Sequence, residues 1–132
     1  MRSIKLLTAS AAGALAVAGA AQADAMHPVL GAKLAGMGEH GIVNLQSNAA
    51  KGRLCWTFEV SGKGFTGASV RDAAGMVVAK LGSSYSAKSC ASVTMKALDL
   101  IESKPAAYTV WLDTKGHPGD LRGKLFAGMA HM

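Results

Sequence analysis

Residues Pro105 to Leu125, PAAYTVWLDTKGHPGDLRGKL, decide how the chain is read. Tyr108, Val110 and Leu112 alternate with Thr109, Trp111 and Asp113, the period-2 pattern of a half-buried strand. Lys115-Gly116-His117-Pro118-Gly119-Asp120 then gathers residue types that reverse a chain. Leu121, Gly123 and Leu125 alternate with Arg122 and Lys124 as a second strand. The stretch predicts two strands joined by a tight loop over 115–120.

The pattern repeats upstream. Leu54, Trp56, Phe58 and Val60 alternate with Cys55, Thr57 and Glu59, and the apolar face, Trp56 included, belongs in a core. Val29–Met37 reads as a first strand and Ile42 to Asn48 as a second. Ala68–Asp72 and Met76–Leu81 flank a turn at Ala73-Ala74-Gly75. Gly82–Ser89 reads as a polar loop. Leu98 and Ile101 share one helical face, so a short helix is expected from a cap at Ser92 or Thr94 to Ser103, stopped by Pro105. Short strands at nearly ten-residue spacing with glycine-rich turns predict an all-β antiparallel sandwich or barrel with one short helix.

The first residues read as an address. Arg2 and Lys5 precede an apolar run, Leu6 to Ala18, shorter than the roughly 20 residues that span a bilayer. Ala21-Gln22-Ala23 fits signal-peptide cleavage, giving 1–23 as signal peptide and 24–132 as a single domain; cleavage after Ala25 fits as well. An exported protein, periplasmic or extracellular and without stable membrane insertion, is expected. Taking Arg2 and Lys5 from the 14 basic residues leaves 12 against 8 acidic, a mature charge of +4. The charges are scattered singly without interleaved aromatics, which argues against nucleic acid and suits contact with anionic surfaces at most. The two cysteines, Cys55 and Cys90, predict one disulfide in an oxidising compartment, contributing about 3–4 kcal/mol.

The Pro105-x-x-Tyr108-x-Val110 run, Thr114, Pro118-Gly119 and Leu121-Arg122-Gly123-Lys124-Leu125 resemble the closing segment of the CHRD domain, the repeat named after chordin. The resemblance extends more weakly from Leu30 to Leu125. It implies an immunoglobulin-like or superoxide-dismutase-like β-sandwich, a cysteine pair at Leu54-Cys55-Trp56 and Ser89-Cys90-Ala91, and a structural signature at Arg122-Gly123. The family usually carries a histidine-isoleucine-histidine strand and a histidine in the closing strand. Ser69-Val70-Arg71 and Asp113 stand at those places, so the family's imidazole cluster is missing and an Arg71–Asp113 ion pair is expected instead.

The remaining histidines, His27, His40, His117 and His131, share no ligand spacing. Met26-His27 and Met129-Ala130-His131-Met132 are the only weak metal candidates, with thioethers suited to Cu(I), and the ends otherwise read as unpacked. No nucleophile elbow, carboxylate pairing or phosphate loop is present. The sequence therefore points to a non-enzymatic binding or structural module without a cofactor, with a protein or glycan partner in the envelope or outside the cell. The alternative is a copper-handling or redox protein on a superoxide-dismutase-like sandwich.

Overall fold

The computed structural model describes residues 28–36 and 38–132. The signal peptide, both cleavage positions, His27 and the expected end of the first strand at Met37 lie outside the described residues. Eight antiparallel strands form one sheet: β1 (Val29–Gly36), β2 (Glu39–Asn48), β3 (Arg53–Val60), β4 (Phe65–Arg71), β5 (Val77–Lys80), β6 (Lys88–Ser92), β7 (Thr109–Thr114) and β8 (His117–Ala127). Among the described residues a single α-helix, α1 (Met95–Ser103), lies between β6 and β7.

The strands run side by side in the order β5-β4-β7-β8-β1-β2-β3-β6. The sheet curls until its two edges nearly meet. Residues 81–87 cross the remaining seam: the Tyr85 amide donates to Thr66 O on β4 at 3.1 Å, and the Phe58 amide on β3 donates to Ala87 O at 2.7 Å. Tyr85 packs between Phe58 and Phe65, with ring centroids 5.6 and 5.4 Å away. Burial holds the Tyr85 phenol above its ordinary value near 10. The architecture is the expected all-β barrel or sandwich class with one short helix.

Alternation decides which side chains fill the interior. Leu30 and Leu34 of β1, Val43 and Leu45 of β2, and Leu54, Trp56 and Phe58 of β3 point inward. Val70, Val110, Leu112, Leu121 and Leu125 meet them from the other side. Trp56 is the core anchor its strand implies, and its indole N–H donates to Ser86 O at 2.9 Å. Helix α1 packs Leu98 and Ile101 into the same core. Thr94, rather than Ser92, caps it: its hydroxyl accepts from the Ala97 amide at 3.2 Å. The wholly buried Ser47 hydroxyl donates to Glu102 of the helix, so no lone polar group is left at the end of β2.

Two expectations change. The end of the polar loop over 82–89 is strand: Lys88–Ser92 pairs with β3, placing Cys90 opposite Cys55. The side chains of β6 are almost all exposed, so no apolar alternation marks it as a strand. In the closing hairpin the turn is Lys115-Gly116 alone, and Pro118-Gly119 already belongs to β8. An irregular register between Leu112 and Thr114 absorbs the proline and glycine within the pair.

Candidate functional site

The site grows from Gly119. Its φ is +65°, its amide donates to Asp113 Oδ1 at 2.6 Å, and its carbonyl accepts from Arg122 Nε at 2.9 Å. A Cβ here would stand 2.6 Å from both the Trp111 ring and Arg122 Nε. Only glycine therefore suits this backbone conformation and lets the indole lie close over it. The Pro118-Gly119 and Arg122 parts of the motif thus describe one contact.

Pairing brings three strands to the indole. Trp111 stands opposite Ser69 on β4 and opposite Arg122 on β8. The Arg122 guanidinium carbon lies 3.7 Å from the centre of the Trp111 ring, and that of Arg71 lies 4.1 Å from it. Arg71 is oriented by Nε donating to Ser69 Oγ and Nη1 donating to Gly75 O, each at 3.1 Å. The acceptors that fix the two arginines, Ser69, Gly75 and Gly119, are all neutral. Two guanidiniums on one indole repel each other; each cation–π contact offsets this by about 0.5–1 kcal/mol at an exposed position.

Beside this stack lies an open cleft of about 380 Å³. The small residues Ala73, Gly75, Ala106 and Ala107 leave room for it, and Trp111, Arg122 and Lys124 form its cationic wall. Asp72 is also on the rim. Its Oδ1 accepts from the Ala74 and Met76 amides at 2.9 and 3.0 Å, which fixes the turn between β4 and β5.

The expected Arg71–Asp113 pair is not formed. Arg71 stands opposite Thr109 and Asp113 opposite Gly67, four residues apart along the ladder, or roughly 13 Å at strand rise. Arg71 turns to Trp111, and Asp113 spends one oxygen on the Gly119 amide. The rest of the motif is framework. Pro105 O accepts from the Tyr108 amide, and Tyr108 O from the Leu125 amide. Thr114 Oγ1 donates to Asp120 Oδ2 at 2.9 Å. Gly123 faces the interior where β1 crosses: a Cβ there would lie 2.0 Å from Lys33 O.

His40, His117 and His131 are exposed, and no group of three or more His, Cys, Asp or Glu side chains that could hold a metal occurs among the described residues. His131 belongs to a tail that is not unpacked, against expectation. Ala130 is buried, its amide donates to Asn44 Oδ1 at 2.7 Å, and its carbonyl accepts from Asn44 Nδ2 at 3.2 Å. The tail crosses β1 at Gly31, where a Cβ would stand 2.5 Å from Ala130 N.

Next to the tail, the Cys55–Cys90 disulfide joins directly opposed residues of β3 and β6. The disulfide, Val29, Gln46 and Met129 border a second groove of about 420 Å³.

Sequence reasoning missed Trp111 as a site residue and Asn44 as a latch. For Trp111 a signal existed: an indole on the polar face of β7, with the cationic Arg122 on the polar face of the strand that follows the turn. Asn44 gave none, because its partner is a backbone segment 86 residues away. No family model, curated protein or solved structure matches the chain. None of these comparisons bears on the CHRD resemblance, which is one of sequence motif alone.

Proposed function

We propose that the protein is an exported, non-enzymatic binding module of the CHRD type, and that it binds through the outer face of β4, β7 and β8. The observation that carries this reading is the Arg71–Trp111–Arg122 stack. Three strands, one glycine and three neutral acceptors hold two guanidiniums on a half-exposed indole, beside an open cleft. A framework role alone would favour a carboxylate partner for each arginine, because a charge-assisted pair holds a guanidinium better than neutral acceptors do. The carboxylates near this face serve the backbone or a neighbouring hydroxyl instead, Asp72 and Asp113 at amides and Asp120 at Thr114. Export is supported by the disulfide, which persists in oxidising compartments, and by the character of residues 1–23.

Co-sedimentation of the mature, oxidised protein with washed envelope from its own host tests this reading. Wild type and Asn44→Ala should sediment, and Arg71→Ala/Arg122→Ala should stay in solution. Equal sedimentation of all three, or of none, would contradict it.

A further inference from the structure

The cleft beside Trp111 offers three chemistries at once. Arg122 and Lys124 supply positive charge on its wall. Arg122 uses Nε for Gly119, which leaves its two terminal nitrogens to meet a carboxylate end-on. Asp72 has Oδ1 committed to two amides, and its other oxygen, without a hydrogen-bond partner among the described residues, can accept from a hydroxyl. Thr109 adds a hydroxyl of its own on the same wall.

These features select among anions. A sulfate would face the Asp72 carboxylate with no hydroxyl to offer it, and a phosphate would bring its negative charge against that carboxylate on the same small group as its P–OH. A nucleobase or a neutral sugar would need an open aromatic face, and guanidiniums already cover Trp111. A hexuronate carries one carboxylate and several hydroxyls on a single ring. The cleft, about 380 Å³, falls at the small end of ligand-pocket volumes. Positive charge also continues beyond it: Lys33 is exposed on β1, the strand next to β8, between the inward-facing Ala32 and Leu34. A polymer with a charge on each unit could follow that row.

We infer that the cleft formed by Trp111, Arg122, Lys124, Thr109 and Asp72 binds a uronic-acid residue of an acidic polysaccharide. The carboxylate sits on Arg122 and Lys124 and a ring hydroxyl on Asp72. This inference rests on the reading of the β4-β7-β8 face as the binding surface, and it names the ligand class.

The test is an NMR titration of the mature, oxidised, ¹⁵N-labelled protein with oligogalacturonate, its methyl ester, inorganic phosphate and phosphatidylglycerol vesicles. The two indole N–H signals serve as paired reporters. Trp111 borders the cleft, and Trp56 is buried with its N–H bonded to Ser86. The acid oligomer should shift the Trp111 signal saturably and leave Trp56 in place, and the ester should do neither. Arg122→Gln should weaken binding roughly 10-fold or more, the worth of a charge-assisted hydrogen bond. Lys124→Gln, which leaves the indole stack intact, should weaken it as well and steepen no other signal. Equal response to acid and ester would overturn the acidic ligand while leaving a binding face. A response to phosphate or vesicles as strong as that to the oligomer would replace the sugar with a bare oxyanion or a lipid headgroup. No Trp111 response to the oligomer would end this inference; the co-sedimentation result would then judge the face independently.

Discussion

The two halves of the barrel's outer surface are finished differently. Over β1, β2, β3 and β6 the chain covers itself: the tail is pinned by Asn44 across Gly31, and a cross-strand disulfide ties down the edge strand. Over β4, β7 and β8 two guanidiniums are assembled on an indole instead. The first half spends its polar groups on its own backbone. The second leaves cationic groups facing outward beside a cleft. On the proposed reading, the first surface serves stability and the second a ligand.

Perturbing each half should therefore produce different losses. The largest stability effect should come from the covered half. Cys55→Ala/Cys90→Ala should lose about 2–5 kcal/mol in urea unfolding, because it frees β6 and lengthens the unfolded chain's reach. The cleft should keep its ligand affinity at temperatures where this variant stays folded.

Gly119→Ala comes next and strikes the open half. The left-handed backbone costs a side chain about 1–2 kcal/mol, and the Cβ must displace the indole. Near-UV circular dichroism should show the loss of Trp111's fixed environment. An unchanged spectrum would mean that the stack does not depend on this glycine.

Asn44→Ala should cost about 1–2 kcal/mol for its two hydrogen bonds to Ala130. Amide exchange at Ala130 should rise sharply while exchange within β7 stays slow.

The smallest effect concerns the seam between the halves. The Tyr85 phenol is raised in the folded state, so folding holds its proton more tightly than the unfolded chain does. The stability it contributes is complete below about pH 10 and is lost as pH climbs through the raised folded value. Wild type should lose stability above pH 10 more steeply than Tyr85→Phe, measured by urea midpoints. Parallel curves would mean that the phenol is not desolvated at the seam.

Strand periodicity made most of the fold legible. The inward residues of β1, β3, β7 and β8 follow alternation, and Thr94 is where a helix cap should be. What escaped is local pairing without an apolar pattern. β6 exposes almost all its side chains and so lacks an apolar stripe, and Pro118-Gly119 mimics a turn while lying inside a strand. At the site, Gly119 and Arg122 stood out through the closing motif, but their shared partner did not. Trp111 takes its meaning from Arg71, 40 residues away, and from a register that alternation alone does not set. The Arg71–Asp113 expectation failed for the same reason: both residues lie on the outer face, and only the register shows that they are too far apart.

Hydroxyl-radical footprinting compares the two halves in one experiment, because each carries a readily oxidised marker: Trp111 on the open face and the exposed Met129 on the covered one. The mature protein would be labelled alone and with the solubilised acidic polysaccharide of its host envelope. The account predicts that the polysaccharide slows oxidation of Trp111 and leaves Met129 unchanged. Protection of Met129 with Trp111 unaffected would place the ligand in the groove beside the disulfide and contradict the assignment of the binding face.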